Sequence, residues 1–420
     1  MLIFFKQMNT FINRQLAPII KAQQSKFPVL AITGPRQSGK TTLLKELFSD
    51  YRYVSLESPN VRAFATEDPV GFLDRYDQKV ILDEVQRVPE LFSYIQSRVD
   101  ESGQMGQFIL SGSQNFHLLN SITQTLAGRV ALFKLLPLDF TELKANGLLE
   151  TSYAGACIKG FYPAIFDRDI GPAIFYANYV QTYLEKDVTE LLNIRDIKLF
   201  RTFLSLCAGR AGQLVNFSSL ANECDISNVT AKSWLSILES SYIIFLLQPY
   251  HQNFNKRLVK SPKLYFYDTG LLSYLLGIRA ADELAENRLK GHVFENMVIA
   301  EYQKKNHHLY LHQDYYFWQD SNGHGVDLLM KKNQGFAVFE IKATQTISEG
   351  LFKEMDRFEQ IAAPDEVNKT LIYGGNENEK RTKYNVLSWR NISDQYISPF
   401  TRQCFLFLFQ LIAAVFQRHK

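Results

Sequence analysis

Cysteine, net charge and long apolar runs are all scarce in this sequence of 420 residues. The four cysteines, Cys157, Cys207, Cys224 and Cys404, lie far apart in the chain. Their spacing excludes a zinc knuckle, a CxxC redox pair and a disulfide framework, and it indicates reduced thiols in a cytosolic protein. The formal net charge is only +3, from 46 Lys and Arg against 43 Asp and Glu. That balance does not by itself indicate a nucleic-acid partner.

The sequence also lacks an apolar run long enough to cross a bilayer, for which a helix needs ~20 residues. The run CFLFLFQLIAAVF, from Cys404 to Phe416, is shorter than that. We interpret it as a docking helix or an extension, with a helix at a membrane interface as the alternative. The first residues, MLIFFKQMNT, are not followed by the small-residue cleavage site of a secretory signal. We therefore expect a cytoplasmic protein with no clear membrane span.

Hydrophobic residues make up 46% of the chain and charged residues 21%, which is typical of globular proteins. Five short apolar runs predict β-strands, and helical patterns fill most of the intervals between them. The runs are 28–32, 52–56, 79–84, 107–113 and 131–136. Alternating strands and helices predict a parallel sheet covered by helices on both faces. The expected fold class is therefore α/β, with two to four domains for a chain of this length.

The strongest motif is GPRQSGKT, which follows the first apolar run and precedes a helical pattern. It matches G-x-x-x-x-G-K-[ST], the phosphate loop, whose backbone N–H groups bind phosphate at a helix N-terminus. Lys40 is expected to reach the β- and γ-phosphates of ATP, and the Thr41 hydroxyl to bind Mg²⁺. The predicted contacts of the loop are Gly34, Pro35, Arg36, Gln37, Ser38, Gly39, Lys40, Thr41 and Thr42.

Two acidic residues end the third apolar run, KVILDE. Asp83 is expected to complete the Mg²⁺ shell, and Glu84 to orient or deprotonate the attacking water. The alternative is a pair of carboxylates that merely cap a strand. Ser111 and Gln114 follow the fourth run, where a polar side chain can contact the γ-phosphate, and simple polarity at a strand end is the alternative.

Arg129 lies in the segment LAGRV before the fifth run. It is a candidate to stabilise the charge of the nucleotide, either within its own chain or from a neighbouring subunit. The second case requires self-association. A structural ion pair is the alternative.

A helix–turn–helix pattern occupies Phe217–Ser241, with Ser218 or Ser219 as the expected N-cap of its first helix. The second helix, Asn228–Leu238, carries four apolar residues and is expected to enter the major groove of double-stranded DNA. Those residues are Val229, Trp234, Leu235 and Leu238. A wing is expected at 242–267, with phosphate contacts from His251, Lys256, Arg257 and Lys260. An all-helical lid that does not contact DNA is the alternative.

A group of charged residues follows near the C-terminal end. Glu340 and Lys342 are two apart in an apolar strand pattern, so their side chains share one face. With Asp327 and the upstream Glu295 they resemble the PD-(D/E)xK nuclease core. In that core, Asp327 and Glu340 would hold Mg²⁺ and Lys342 would orient water. The alternative is an inherited fold that binds or dimerises without cutting, and His324 is more simply an exposed turn residue than a metal ligand.

The motifs GPRQSGKTTLL, VILDEVQRVPELF, LSGSQNF, LAGRV and LPLDFTEL occur in this order, followed by YLEKDVTEL, FYDTGLLSYLLG, GHVFENMVIAEY, GHGVDLL and FEIKATQ. Together they resemble the AAA-type ATPases that carry a C-terminal domain of the DUF4143 type. The resemblance covers about residues 10 to 392. It implies a prokaryotic protein that binds and hydrolyses ATP, and it leaves the substrate open.

These patterns predict a domain series that begins with an N-terminal helix. The predicted segments are 1–25 for that helix, 26–138 for the ATPase core, 139–196 for a helical lid, 197–280 for a winged-helix-like module, 281–392 for a PD-(D/E)xK-like α/β domain and 393–420 for an apolar tail. The predicted function is ATP hydrolysis coupled to DNA binding and DNA cleavage. The alternative is a regulatory ATPase switch that binds DNA or protein and cuts nothing. A small-molecule phosphotransferase is disfavoured, because such an enzyme does not need Glu84 to activate water.

Overall fold

The computed structural model describes residues 11–113, 124–184, 196–251 and 259–395. Its first sheet has five strands in the order β2-β3-β4-β1-β5, and every neighbouring pair is parallel. The strands are β1 (Val29–Thr33), β2 (Arg52–Ser55), β3 (Val80–Asp83), β4 (Phe108–Gly112) and β5 (Val130–Lys134). The predicted parallel α/β core is confirmed. Since all five strands run the same way, their carboxyl ends meet at one edge of the sheet.

Helices cover both faces of this sheet. They are α1 (Ala17–Gln23), α2 (Lys40–Leu47), α3 (Pro59–Glu67), α4 (Pro69–Arg75) and α5 (Leu91–Ser102). Alternate residues of β1 point to opposite faces: Val29 and Ala31 pack with α3, α4 and α5, whereas Leu30 and Ile32 pack with α1 and α2. Burial on both faces explains why the strands are continuous apolar runs in the sequence.

The middle of the chain is mainly helical. Its helices are α6 (Phe140–Ala145), α7 (Tyr153–Lys159), α8 (Pro163–Asp167), α9 (Pro172–Tyr179), α10 (Ile197–Gly209), α11 (Phe217–Glu223) and α12 (Asn228–Ser240). A π-helical turn, Val180–Leu184, continues α9, and the rest of the long helix expected in this part lies outside the described residues.

The helix–turn–helix pattern is realised by α11 and α12 with one correction, at the N-cap of α11. The N-cap of α11 is Asn216, whose side-chain oxygen accepts a hydrogen bond from Ser219 N at 3.0 Å, rather than Ser218 or Ser219. In α12 three of the four apolar residues are buried, but Val229 is 77% exposed. Val229 lies in the first turn of α12, and its side chain faces solvent.

A second sheet has eight strands in the order β12-β13-β11-β10-β9-β8-β6-β7. The strands are β6 (Ile244–Pro249), β7 (Lys263–Phe266), β8 (Tyr316–Gln319), β9 (Gly325–Lys331), β10 (Phe336–Lys342), β11 (Val367–Tyr373), β12 (Glu379–Lys380) and β13 (Asn385–Ser388). The β6–β7 hairpin follows α12 directly, and β6 pairs in parallel with β8. This sheet therefore crosses the border that the sequence patterns place at residue 280.

The remaining helices are α13 (Thr269–Leu275), α14 (Ala281–Glu286), α15 (Lys290–His308) and α16 (Lys353–Ala362). Short 3₁₀ turns lie at Val85–Arg87, Glu349–Phe352 and Trp389–Gln395. Helix α15 has 19 residues and a length of ~28 Å at 1.5 Å per residue. It contacts β10 of the second sheet and β5 of the first, so a single helix connects the two halves of the molecule.

Within the described ranges, no helix is both long enough and apolar enough to cross a bilayer. The apolar run from Cys404 to Phe416 lies outside these ranges.

Candidate functional site

The phosphate loop lies between β1 and α2, at the edge where the parallel strands end. Its first glycine is required by space, because a Cβ on Gly34 would lie 2.1 Å from the Leu135 carbonyl oxygen. Gly39 has φ +90° and is the N-cap of α2, a left-handed conformation that glycine adopts without strain. The loop therefore curves closely around the N-terminus of α2, which is the arrangement that binds phosphate.

Lys40 is 7% exposed and lies inside this curve. Its Nζ donates hydrogen bonds to Gly34 O at 2.9 Å and to Pro35 O at 2.8 Å. Burial lowers the pKa of Lys40 to about 8, although the nearby carboxylates of Glu84 and Asp83 act in the opposite direction. The lysine is thus a buried cation whose hydrogen bonds go to carbonyl dipoles.

The two predicted Mg²⁺ ligands lie together beside the loop. Thr41 Oγ1 donates a hydrogen bond to Asp83 Oδ2 at 3.1 Å, and Tyr53 OH donates to the same oxygen at 2.6 Å. Burial and the hydrogen bond to Asp83 raise the pKa of Tyr53, so the phenol keeps its proton. A hydroxyl and a carboxylate are oxygen ligands of the kind that Mg²⁺ prefers, so these residues fit the ion.

Glu84 has a backbone φ of +56°, which is rare for a residue with a side chain and often occurs at functional sites. Its carboxylate oxygen Oε2 accepts hydrogen bonds from Ser113 Oγ at 3.2 Å and from Gln86 Nε2. Both donors hold the carboxylate at the carboxyl edge of the sheet. Of the two contacts predicted beyond the fourth strand, Ser111 lies within β4 and Gln114 lies outside the described residues.

Two serine hydroxyls around the loop are buried and have no hydrogen-bond partner in the part of the chain that the structure describes. They are Ser38 Oγ and Ser111 Oγ. Ser111 is opposite Asp83 and Ile32 in the parallel register of the sheet. A buried hydroxyl without a partner costs about 1–3 kcal/mol. Phosphate oxygens in the loop would provide acceptors for both.

Arg129 lies at the other edge of the sheet. Its carbonyl accepts a hydrogen bond from Val29 N, at the amino end of β1, whereas the phosphate loop follows the carboxyl end. Its guanidinium pairs with Asp100 at 2.5 and 2.8 Å. The structure therefore does not bring Arg129 to the nucleotide site of its own chain. A contact with the nucleotide of a neighbouring subunit stays a prediction.

A cavity of about 100 Å³ opens beside the phosphate loop. Phosphate-loop residues Gly39 and Thr42 form one wall, and apolar side chains with one carboxylate form the others. The remaining lining residues are Phe11, Ile12, Arg14, Leu43, Leu138, Pro163 and Asp167. The sequence analysis missed this cavity, because its walls come from four separate segments of the chain.

Arg14 is a second residue that the sequence analysis missed. Its guanidinium is buried and donates to Ser38 O at 2.7 Å and to Leu136 O at 2.6 Å. It also pairs with the buried carboxylate of Glu142 at 3.0 Å. A single arginine in an apolar N-terminal segment carries no motif, so only the fold identifies it as a support of the phosphate loop.

The same network continues to the end of α15. His308 Nε2 accepts a hydrogen bond from Leu136 N at 3.2 Å, which places the ring proton on Nδ1, 2.8 Å from Asp139 Oδ2. Burial would raise the pKa of Asp139, but Lys305 and His308 outweigh it and hold this pKa well below its usual range. Asp139, Glu142 and His308 lie close enough to share an ion. Since Lys305 and Arg14 already neutralise the two carboxylates, we interpret the cluster as a structural network.

The C-terminal charged residues also lie together, at the junction of β9, β10 and α15. Lys342 Nζ lies 3.1 Å from Asp327 Oδ2 and 2.5 Å from Glu340 Oε1. The backbone N–H of Ile341 donates to Asp327 Oδ2 at 2.9 Å. Glu295 completes the group from α15. We call Glu295, Asp327, Glu340 and Lys342 the acidic site.

Glu340 is the most buried carboxylate of the acidic site, at 6% exposure. Burial and the neighbouring Asp327 raise its pKa to about 8, and its Oε2 has no hydrogen-bond partner among the described residues. Lys342 has a raised pKa, because Asp327 and Glu340 outweigh its burial. A surplus of carboxylate oxygens with one unsatisfied atom fits a divalent cation. His324 Nδ1 instead lies 3.1 Å from Glu354 Oε1, and its side chain is 38% exposed.

Three family models match successive parts of the chain. Residues 26–144 match an AAA domain, 150–282 a domain of unknown function (DUF8612), and 290–392 a second domain of unknown function (DUF4143). The predicted combination of an AAA-type domain with a C-terminal DUF4143 domain is confirmed.

Similar proteins in other organisms have no assigned activity. Uncharacterized proteins of Mycobacterium tuberculosis and Mycobacterium bovis are each 29% identical over 337 residues, which is 80% of this chain and 75% of theirs. An uncharacterized protein of Haemophilus influenzae is 22% identical over 66% of this chain and 76% of its own. Among solved structures, a Walker-type ATPase of Pyrococcus abyssi matches with a TM-score of 0.42 and 14% identity, over 64% of this chain and 97% of that one.

Proposed function

We propose that this chain, which belongs to the AAA-type ATPases with a C-terminal DUF4143 domain, binds ATP at its phosphate loop and hydrolyses it. The observation that carries the proposal is the set of buried polar groups that line the phosphate loop. The buried Lys40 donates to two backbone carbonyls there, and in the described part of the chain two buried serine hydroxyls have no hydrogen-bond partner. Each of these groups gains a hydrogen bond when phosphate oxygens enter the loop.

The cavity beside the loop supports a purine nucleotide as the ligand. Phe11, Ile12, Leu138 and Pro163 supply apolar surface for a base, next to the loop residues that would bind its phosphates. The carboxylate of Asp167 lines the same cavity and can accept a hydrogen bond from the exocyclic amine of adenine. Guanine presents a carbonyl at that position, so this arrangement favours ATP.

For hydrolysis, Thr41 and Asp83 would hold Mg²⁺, which supplies charge stabilisation to the phosphates. Glu84, oriented by Ser113 and Gln86, positions a water molecule and accepts its proton. The water oxygen forms a bond to the γ-phosphorus while the bond between that phosphorus and the β–γ bridging oxygen breaks. ADP leaves with the bridging oxygen, and Lys40 neutralises charge on the transferring group.

The acidic site supports a second activity, metal-dependent cleavage of DNA. The specific observation is the buried, unpartnered oxygen Oε2 of Glu340 in a group of three carboxylates. Asp327 and Glu340 would hold a divalent cation there, and Lys342 would orient the attacking water. A non-cleaving switch, in which the same fold only binds DNA or protein, is the alternative.

Double-stranded DNA is the proposed partner of α12 and the β6–β7 hairpin. Val229, in the first turn of α12, is exposed, and an apolar side chain at that place can contact a thymine methyl group. Lys232 on α12 and Lys260 before β7 are exposed and available to phosphates. We also propose a cytoplasmic location, in line with the free thiols of Cys157, Cys207 and Cys224.

The test is one preparation assayed for both activities. ATP hydrolysis is measured with Mg²⁺, and cleavage of linear and supercoiled DNA is measured with Mg²⁺ or Mn²⁺, with and without ATP. Glu84→Gln should abolish the first activity, and Asp327→Ala should abolish only the second. ATP hydrolysis without cleavage of either DNA would favour the switch. A wild-type protein that neither binds nor hydrolyses ATP would overturn the proposal.

A further inference from the structure

Strand β7 brings two side chains to the acidic site from outside the C-terminal domain. Lys263 and Tyr265 are two apart on the strand, so both point to the face that contacts α15. Tyr265 OH donates a hydrogen bond to Glu295 Oε1 at 2.6 Å, and Lys263 Nζ lies 3.5 Å from the same oxygen. Both residues precede the segment 290–392 that matches DUF4143.

The position of β7 against α15 is fixed by backbone contacts. The side-chain amide of Asn296 donates to Phe266 O and accepts from Phe266 N, both at 2.8 Å. On the outer side, Gly212 N donates to Leu264 O at 2.7 Å. Because Asn296 directly follows Glu295 on α15, this anchor fixes the distance between β7 and the acidic site.

The charges of the site show what Lys263 can do. A divalent cation on Asp327 and Glu340 would compete with Lys342, since that lysine contacts the same two carboxylates. The Lys342 side chain is 38% exposed and can turn toward solvent. Lys263 pairs with Glu295 instead, and Phe317 packs beneath its ammonium at 5.3 Å. It therefore remains beside the site when the cation is bound.

We propose that Lys263 is a phosphate-binding residue of the acidic site, supplied by the preceding module and held in place through Glu295 and Tyr265. This inference rests on the proposed metal-dependent action on a phosphodiester. With the cation in place, Lys263 provides a fixed positive charge on the β7 side of the site, where a non-bridging phosphate oxygen can bind. The acidic site is then complete only when β7 is present.

The sign of one substitution separates this role from a structural one. Removing the positive charge in Lys263→Ala should strengthen binding of Mn²⁺ by about threefold to tenfold, because one neighbouring cation is lost. The same substitution should weaken phosphate binding by about fivefold or more. If Lys263 had only a structural role, its removal would weaken both Mn²⁺ binding and phosphate binding. Lys263→Arg keeps the positive charge, so its Mn²⁺ affinity and its phosphate affinity should stay within about twofold of those of the parent.

The experiment uses the full-length chain with Lys40→Ala in every variant, so that the phosphate loop does not bind the probe. Mn²⁺ affinity is measured by calorimetry. Phosphodiester binding is measured with dimethyl phosphate, by the relaxation that bound Mn²⁺ causes at its phosphorus. Lys332→Ala, an exposed lysine in the turn between β9 and β10, is the matched control and should change neither value.

The expected result is tighter Mn²⁺ binding and lost phosphorus relaxation in Lys263→Ala only. Unchanged relaxation in Lys263→Ala, with Mn²⁺ binding that Asp327→Ala removes, would overturn the role of Lys263 and leave the metal site standing. Mn²⁺ binding that Asp327→Ala does not affect would overturn the proposed metal site and this inference with it.

Discussion

Lys40 is buried and Lys342 is partly exposed, and the groups around the two lysines differ in charge. Lys40 donates to two backbone carbonyls, and burial lowers its pKa to about 8. Lys342 lies between two carboxylates, which raise its pKa despite its burial. The phosphate loop thus encloses a cation that contacts backbone dipoles, whereas the acidic site has carboxylates in excess.

This difference shows which ligand each site can bind. A buried cation without a carboxylate in direct contact is stabilised by an anion, and a triphosphate provides one. A buried carboxylate with a raised pKa and an unpartnered oxygen, as in Glu340, is stabilised by a divalent cation. We therefore expect the two halves of the molecule to bind ligands of opposite charge, and each of the following experiments tests that contrast.

The largest effect is expected at Glu84. Glu84→Gln keeps the size and hydrogen bonding of the side chain but removes the base, so ATP hydrolysis should fall by about 10²- to 10⁴-fold. Nucleotide affinity should change by less than about threefold, because Glu84 is expected to contact water and not phosphate. Steady-state phosphate release and equilibrium binding measure the two values. Normal turnover in this variant would contradict the assignment.

Lys40→Ala is expected to lower nucleotide affinity by about 100-fold, since a charge-assisted hydrogen bond to phosphate in a buried site is lost. Fluorescence titration with a labelled ATP analogue measures the change. Lys45→Ala is the matched control, because this lysine lies on the same helix and contacts the Tyr53 ring rather than the loop. An equal loss of nucleotide affinity in Lys40→Ala and Lys45→Ala would contradict a specific role of Lys40 in binding phosphate.

The corresponding substitution in the acidic site should raise the affinity for the ligand, whereas Lys40→Ala should lower it. Lys342→Ala frees Asp327 and Glu340 from their cation and should strengthen Mn²⁺ binding by about tenfold, even though DNA cleavage is lost. Calorimetric titration with Mn²⁺ and a plasmid-nicking assay follow the two properties. Weaker Mn²⁺ binding in this variant would show that Lys342 supports the site and does not compete with the metal.

The smallest effect is expected at Arg129. Its pair with Asp100 is exposed and screened by solvent, so Arg129→Ala should leave stability almost unchanged. If subunits act independently, hydrolysis should also stay within about twofold. If Arg129 acts on a neighbouring subunit, the loss should appear only at concentrations where the wild-type protein self-associates. Activity measured over a dilution series, with sedimentation at each concentration, distinguishes these cases.

Sites formed by consecutive residues were accessible from the sequence. The phosphate loop and the pair Asp83–Glu84 each lie in one segment, so the spacing of their residues in the sequence predicts their chemical roles. Glu340 and Lys342 are likewise brought to one face by the period of a single strand. The predicted α/β core follows from apolar runs of the same local kind.

Residues brought in by tertiary packing were not accessible. Tyr53 reaches Asp83 across neighbouring strands, and Arg14 reaches Glu142 across more than a hundred positions. Lys263 joins the acidic site only because the β6–β7 hairpin extends the second sheet. None of these three residues belongs to a motif that the sequence analysis could recognise. The exposure of Val229 was missed for a related reason, since apolarity alone does not specify which turn of a helix is covered.

The expectation that the two sites bind ligands of opposite charge is tested most directly by measuring nucleotide affinity and Mn²⁺ affinity between pH 6.5 and 9.5. Nucleotide binding is measured without metal, and Mn²⁺ binding is measured in Lys40→Ala. Lys40 is expected to bind phosphate as a cation, so nucleotide affinity should be full below its pKa of about 8 and fall about tenfold per unit above it. Glu340 is expected to bind metal as an anion, so Mn²⁺ affinity should rise with pH and level off above its pKa of about 8. Affinities that change in the same direction across this range would contradict the account.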